Sequence, residues 1–186
     1  MTRANLEHII RAAATIADDG DILVVGSQSI LGQFPDADPR LLVSMEADVY
    51  PRNRPERSDL IDGSIGEGSP FESVFGYYAH GVDASTSVLP PGWEERLILV
   101  SNENTRFFRG WCLEVHDLAI AKLVAGREKD LAFVRVLACG GYVDRATLAA
   151  RLERTGLPAD SRRIVSGRID ASASTPAPGY DGPAED

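Results

Sequence analysis

Residues 41–49 constrain the fold of this chain more than any other stretch, because apolar and polar side chains alternate along them. The apolar positions are Leu41, Val43, Met45, Ala47 and Val49. This period of two predicts a β-strand with one buried face, and the opposite face carries Ser44, Glu46 and Asp48. Carboxylates one residue apart on a strand project to the same side, where they can share one cation such as Mg²⁺. A strand whose polar face only meets water shows the same alternation, so the strand alone leaves both interpretations open.

Length, charge and cysteine content narrow the classes of protein to which the chain can belong. Its 186 residues predict one domain, or one domain plus an appendage, with a full hydrophobic core. The longest apolar runs are too short for a membrane span. The first residues lack a signal-peptide pattern, so we expect a cytoplasmic protein with no membrane partner. A formal net charge of −9 argues against a broad nucleic-acid surface, although a local basic cleft stays open. Cys112 and Cys139 lack metal-site spacing and fit a reducing compartment.

A glycine turn follows the apolar stretch at residues 22–25, which predicts a short strand buried on both faces. Gly26 and Ser27 come next, and apolar Ile30 and Leu31 then begin a predicted helix. A glycine at such a turn lets the backbone approach a ligand, and free amides at a helix start suit a phosphate. Alternatively, Ser27 only caps the helix.

A second polar group is predicted around residues 116–139, which read as helical. If one helix ran through, Lys122, Gly126, Lys129 and Asp130 would share a face. A lysine among apolar neighbours needs an anion, because burying an unpaired ammonium is costly. That anion is either a carboxylate of the protein or a phosphate of a ligand, unless Lys122 reaches solvent at the rim of the core. Arg127 is interpreted as a phosphate ligand or as a partner of Glu128 or Asp130.

Asp83 ends the strand predicted over residues 77–83, and from there its carboxylate can face Glu46 and Asp48 as a further metal ligand. The alternative is that Asp83 caps the next turn. His80 and His116 can approach this site, but each is interpreted as a structural side chain at the end of an element.

The remaining periodicity completes the expected organisation. Predicted helices are residues 4–17, 55–66, 145–155 and 158–169, with one helical turn at 71–75. Further predicted strands are residues 97–100 and 111–115. Residues 171–186 combine Ala, Ser, Pro, Gly and acidic residues without periodicity, which predicts a disordered tail. We expect a core over residues 1–140, with C-terminal helices over residues 141–170 packed on it.

In order along the chain come the Gly26-Ser27 turn, the Glu46-Ala47-Asp48 strand and the run at residues 116–130 with Lys122 and Asp130. This arrangement resembles the nucleotidyltransferase superfamily with the polymerase-beta-like core. It is most similar to toxin nucleotidyltransferases of the AbiEii and MenT type and to their small bacterial relatives. The resemblance covers roughly residues 20–140, and its close motif matches lie in those three runs. It implies an α+β fold, with a mixed β-sheet flanked by helices and a C-terminal helical segment.

The resemblance also implies a role for each matching residue. Gly26 and Ser27 would hold nucleotide phosphates, and Ser44 stands where such toxins carry a hydroxyl. Glu46 and Asp48 would bind Mg²⁺ or Mn²⁺, with Asp83 the candidate third carboxylate. In the third run, Lys122 would neutralise triphosphate charge and Asp130 would complete the surrounding polar network. Arg127, from the same run, is the further candidate for nucleotide binding.

The sequence departs from the family pattern in three ways, and these departures bear on whether the protein is catalytically active. Glu46 stands where the pattern has Asp, Ser27 where it has a second glycine, and a clear third carboxylate is missing. The extra methylene of Glu46 moves its carboxylate outward, and a misplacement of about 1 Å in a catalytic group can lower the rate about a hundredfold. The first hypothesis is an active enzyme that transfers a nucleoside monophosphate from an NTP to a tRNA or protein acceptor, as a toxin with an antitoxin partner. The second is a catalytically weakened nucleotide-binding or partner-binding protein. A structural module, in which these residues are only surface groups, is the third alternative.

Overall fold

The computed structural model describes residues 1–174 and contains a five-stranded mixed β-sheet. The strands β1 to β5 are Asp21–Val24, Glu46–Pro51, Tyr78–Gly81, Ile98–Val100 and Arg109–Cys112. Across the sheet they follow the order β3-β2-β1-β5-β4. β1 is antiparallel to β2 and parallel to β5, while β2 is parallel to β3 and β4 is antiparallel to β5. The predicted α+β class with a mixed sheet flanked by helices is confirmed.

Eight α-helices accompany the sheet within residues 1–174. The helices α1 to α8 are Arg3–Ala17, Ile30–Gln33, Ser58–Ile65, Pro70–Phe75, Val115–Ala125, Glu128–Cys139, Arg145–Arg154 and Ala159–Ser174. Short 3-10 turns are Ser27–Ser29, Pro39–Leu41, Pro55–Arg57, Ala84–Thr86 and Trp93–Arg96. None of the helices in this part of the chain is long and apolar enough to cross a membrane.

Helix α1 forms where the apolar spacing predicts it and packs closely on the sheet. Thr2 begins it with a capping box, in which the Thr2 hydroxyl accepts the N–H of Asn5 and the Asn5 side chain accepts the N–H of Thr2. Ile10 is fully buried and lies against Gly110 of β5, where an added Cβ would come 2.3 Å from Ile10 Cδ1. The absence of a side chain at Gly110 therefore lets the helix approach the sheet.

The two faces of the sheet differ in how they are covered. Helices α1, α2 and α3 contact the strands on one face, where Ile22, Val24 and Val49 are fully buried. Because side chains alternate along a strand, Glu46 and Asp48 project from the opposite face. There they are only partly buried. The acidic pair therefore lies on the more open face of the sheet.

The strand predicted over residues 41–49 begins later than expected. Its pairing starts at Glu46, while Val43 and Met45 are 73% and 51% exposed, so the prediction that they are buried is wrong. Upstream, the N-terminal ammonium of Met1 donates hydrogen bonds to the carbonyls of Leu42 and Ser44 at 2.5 and 3.2 Å. Residues 42–44 thus contact the N-terminal residue and lie outside the sheet, and the alternation applies only from Glu46 onward.

The C-terminal half also differs from the expected boundaries. The segment at residues 116–139 is two helices, because Gly126 ends α5 with a φ of 65° and α6 begins at Glu128. Helix α7 contacts α5 and α8, and α8 also contacts α6. Helix α8 continues to Ser174, so the expected tail cannot begin at residue 171, and its remaining part at 175–186 lies outside the described residues.

Buried charges join α5 to its neighbours. Glu114 caps α5 by accepting the N–H of His116 and of Asp117, and it also pairs with Arg151 of α7. Asp117 is fully buried and accepts from Arg96 at 2.8 and 3.0 Å, with Arg151 a further 2.9 Å contact. Because a buried charge without a partner is strongly destabilising, this network fixes α5 relative to α7 and to the turn at Arg96.

Glu114→Gln is expected to destabilise the fold in a pH-dependent way. Burial raises the pKa of Glu114, but the hydrogen bonds and charges of His116 and Arg151 outweigh it and lower the pKa to about 2. A depressed pKa contributes stability above the unfolded value of about 4.5 that is lost as pH falls toward 2. After allowance for solvent screening, we expect a loss of about 1–3 kcal/mol near neutral pH in urea unfolding, shrinking toward zero in acid.

Glu153→Gln provides the matched control, because Glu153 is 70% exposed and lies 3.7 Å from Arg162. Its effect should stay below about 0.5 kcal/mol at every pH. A Glu114→Gln deficit that does not change with pH would contradict the assignment.

Candidate active site

A cavity of about 290 Å³ lies between the sheet and helices α5 and α6. Most of the residues predicted for the site line it: Gly26, Ser27, Ser44, Glu46, Asp48, Lys122 and Arg127. These residues come from the turn after β1, the start of β2, and the end of α5. The structure thus brings together, from three separate stretches, the residues that the sequence patterns single out.

The acidic pair and His80 converge at one point. β2 and β3 are parallel, and their register pairs Asp48 with His80 and Glu46 with Tyr78. His80 Nδ1 lies 3.2 Å from Glu46 Oε1 and 3.2 Å from Asp48 Oδ1. One ligand atom from each of the three residues lies within 4.8 Å of the other two. The longer Glu46 side chain therefore reaches the same place as Asp48, and the three side chains can hold one cation.

The carboxylates are crowded enough to disturb their neighbours' ionisation. Burial, followed by the charge of Glu46, raises the pKa of Asp48. Burial lowers the pKa of His80, but the hydrogen bond to Asp48 and the charges of both carboxylates outweigh it, so this pKa is raised. Burial and the charge of Glu46 raise the pKa of Tyr78, whose hydroxyl donates to Glu46 Oε2 at 3.3 Å, to about 12. Each shift has the sign expected where negative charge is in excess, and a bound cation would neutralise that excess.

Gly26 is needed beside Asp48 for reasons of space. Its φ of −77° is open to any residue, but an added Cβ would lie 1.7 Å from Asp48 Oδ2 and 2.6 Å from Asp48 Cγ. The N–H of Val25 also donates to the Asp48 carbonyl at 3.0 Å. The turn after β1 and the acidic strand are therefore in direct contact, which explains why a glycine stands there.

The opposite wall of the cavity is basic. Asp130 is fully buried and accepts from Lys122 Nζ at 3.0 Å and from Arg127 at 2.6 and 3.3 Å. Burial raises the pKa of Asp130, but the hydrogen bonds and charges of Arg127 and Lys122 outweigh burial, so the pKa is lowered and the group is ionised. Lys122 also lies 5.6 Å from the ring centroid of Phe133. Asp130 does not line the cavity; it holds in place two cations that do.

Two of the predicted residues, Asp83 and Ser44, hydrogen-bond to residues two positions away in the sequence. Asp83 is exposed, and its carboxylate accepts the N–H of Ser85 at 2.7 Å, as the alternative of a turn cap predicts. It is not part of the cluster of Glu46, Asp48 and His80. Ser44 Oγ accepts the N–H of Glu46 and donates to its carbonyl, which shapes the entry to β2.

The sequence interpretation missed His80 and gave no site role to Lys129, which also lines the cavity. His80 was interpreted as a structural side chain, because one sequence does not give the register between β2 and β3. The one local signal is that His80 lies one position before the end of β3, a half-exposed strand. Lys122 and Lys129 are the only lysines in the chain, and both line the cavity. Their closeness in sequence is the signal that connects Lys129 with the site.

A family model described as nucleotidyltransferase of unknown function (DUF6036) matches residues 4–164. The match spans all five strands and every residue that lines the cavity. Neither the search of curated proteins nor the search of solved structures produced a match.

Gly26→Ala should disable the acidic pair while the sheet stays folded. The added methyl group must displace the Asp48 side chain, so we expect divalent-cation binding to weaken at least about tenfold, as positioned groups tolerate little displacement. Overpacking should also lower the free energy of unfolding by about 1–3 kcal/mol. Calorimetric titration with Mn²⁺ and urea unfolding measure the two effects.

Gly20→Ala is the control, since an added Cβ there meets nothing within 4 Å. It should bind the cation as the wild type does. Unimpaired binding by Gly26→Ala would show that Asp48 takes no part in it.

Proposed function

The chain belongs to this family of nucleotidyltransferases of unknown function, and on that premise we propose that it transfers a nucleoside monophosphate from an NTP to an acceptor. The observation that carries the proposal is that Glu46 Oε1 and Asp48 Oδ1 each lie 3.2 Å from His80 Nδ1. The cavity that these side chains line has a basic wall opposite them. A carboxylate wall and a basic wall together suit a triphosphate that arrives with a divalent cation.

The proposed reaction replaces one bond at the α-phosphorus of the NTP by another. An oxygen of the acceptor forms the new bond, and the bond from the α-phosphorus to the bridging oxygen breaks. Pyrophosphate leaves with that electron pair, and the acceptor proton passes to water. Because the covalent chemistry is simple, catalysis of this kind depends mainly on positioning and on neutralising charge.

Glu46, Asp48 and His80 fit a divalent cation, since they offer two carboxylate oxygens and one imidazole nitrogen at a common point. We propose Mg²⁺ or Mn²⁺ as the cofactor. When bound, it would neutralise phosphate oxygens and polarise the phosphorus under attack. Tyr78 would keep the Glu46 carboxylate oriented through its hydrogen bond to Oε2.

The other residues of the cavity are proposed to bind the triphosphate. Gly26 and Ser27 would let the backbone approach the phosphates at the turn after β1. Lys122 and Arg127 would neutralise phosphate charge. Asp130 is a positioning residue, because it contacts those two cations and not the cavity.

We propose tRNA as the first candidate for the acceptor and a protein as the second. The support is the resemblance of the Gly26-Ser27, Glu46-x-Asp48 and 116–130 runs to toxin nucleotidyltransferases, which also makes an antitoxin the expected partner. A second function, nucleotide binding without transfer, is favoured by one observation: an imidazole rather than a carboxylate completes the acidic cluster. Binding of an NTP with no incorporation into any acceptor would support that alternative.

Asp48→Asn is expected to abolish transfer, because it removes one of the two charges that hold the cation. The assay mixes purified protein with each of the four labelled NTPs, Mg²⁺ or Mn²⁺, and either total RNA or protein extract, and follows label in acid-insoluble material. We expect kcat to fall at least about a hundredfold, as for other preorganised charged groups.

Asp59→Asn is the matched control, since Asp59 is an exposed aspartate of α3 that does not line the cavity. It should leave incorporation unchanged. Equal incorporation by Asp48→Asn and wild type would overturn the proposal.

Nucleotide binding can be tested without knowing the acceptor, because Lys122 and Lys129 are the only lysines. We expect an NTP with Mn²⁺ to slow the acetylation of both lysines by at least about tenfold, since ammonium groups paired with bound phosphates react slowly with the acetylating reagent. Mass spectrometry of acetylated peptides measures the rates, and the matching nucleoside without phosphates is the control ligand. Equal rates with and without the NTP would contradict triphosphate binding in this cavity.

A further inference from the structure

We propose that His80 is a direct metal ligand that shifts the selectivity of the site from Mg²⁺ toward transition-metal dications of the Mn²⁺ class. The inference rests on the proposed function only in that it assumes a cation site at Glu46 and Asp48. It adds a ligand and a metal preference that neither the sequence patterns nor the family description contains.

The spacing of the donor atoms fits one coordination sphere. His80 Nδ1 lies 3.2 Å from an oxygen of Glu46 and 3.2 Å from an oxygen of Asp48. Metal–ligand bonds of about 2.0–2.3 Å place neighbouring donors of an octahedron about 2.8–3.3 Å apart. The two distances from His80 Nδ1 therefore match two edges of one octahedron, and the carboxylate oxygens lie within 4.8 Å of each other. Three donors leave the remaining positions of such a sphere for phosphate oxygens or water.

The chemistry of the donors favours a transition metal. Mg²⁺ is a hard cation that takes oxygen ligands, whereas imidazole nitrogen suits first-row transition metals. Two carboxylates with a neutral imidazole also carry one negative charge fewer than three carboxylates, which weakens attraction for an ion held mainly by charge. Mn²⁺ accepts both donor types, so it is the member of the class that also suits the two carboxylates.

The surroundings fix the donors in these positions. Tyr78 donates to Glu46 Oε2 at 3.3 Å, which leaves Oε1 directed at the imidazole. The His80 side chain is half exposed, so a cation can reach its ring from solvent. Within residues 1–174, no other three His, Cys, Asp or Glu side chains offer ligand atoms in a comparable group.

The test combines a spectroscopic readout with a ratio of affinities. Electron spin-echo measurements on the protein with Mn²⁺ should show modulation from a coordinated nitrogen, and His80→Asp should remove it. Because a site made only of oxygen ligands also favours Mn²⁺ to a degree, the ratio of Mn²⁺ to Mg²⁺ affinity must be compared between variants. We expect His80→Asp to lower this ratio about tenfold, equivalent to about 1.4 kcal/mol.

His8→Gln is the matched control, because His8 packs against Phe71 and Phe75 and donates or accepts with the Tyr77 hydroxyl, away from the acidic cluster. It should retain the nitrogen signal and the ratio. Thermal melting of His80→Asp establishes that the variant is folded, and His80→Asn provides a second, uncharged substitution that should also remove the signal.

The two proposals fail in different ways. Nitrogen modulation that survives in both His80 variants, or its absence from the wild type, would overturn the role of His80 and leave nucleotidyl transfer standing. A nitrogen signal that depends on His80, in a protein that incorporates no nucleotide, would support the metal site and overturn transfer. An unchanged affinity ratio in His80→Asp would overturn the selectivity.

Discussion

The repulsion between two carboxylates on one strand is the constraint around which this structure is arranged. Glu46 and Asp48 project from the same face of β2, and burial together with the charge of Glu46 raises the pKa of Asp48. Like charges held this close are unfavourable unless neighbours compensate. Here the compensation comes from His80 on β3 and from the hydroxyl of Tyr78, both positioned by the parallel pairing of β2 with β3. Such a concentration of like charge is typical of functional sites.

The basic wall depends on a break in a helix. Lys122 and Asp130 are eight positions apart, which on a continuous helix would separate them by about 12 Å along the axis. Their 3.0 Å contact exists because Gly126, with a φ of 65°, ends α5 and allows α6 to begin in a new direction. Any other residue at position 126 would be strained in this left-handed backbone conformation. Its Cβ would also lie 2.1 Å from Nη1 of Arg168. One glycine thus lets a single buried carboxylate hold two cations at the cavity.

Local patterns predicted the parts of the site but not their assembly. The period of two identified Glu46 and Asp48, and the apolar run before Gly26 identified the turn, because both signals lie within a few neighbouring residues. The start of β2 was not predictable in this way, since residues 42–44 make tertiary contacts to Met1, more than 40 positions earlier in the chain. The contribution of His80 depends on the register between β2 and β3, and register is set by tertiary packing.

That register also accounts for the length of the side chain at position 46. In the parallel pairing of β2 with β3, Asp48 lies directly opposite His80, while Glu46 lies opposite Tyr78 and so is a diagonal neighbour of His80. Diagonal neighbours in a sheet are farther apart than direct ones, and only long side chains span the gap. A short aspartate suits the direct position, whereas the diagonal position needs the extra methylene of glutamate to bring Oε1 to 3.2 Å from the imidazole. The extra methylene of Glu46 therefore offsets its diagonal position and brings its carboxylate to the same imidazole nitrogen that Asp48 contacts directly.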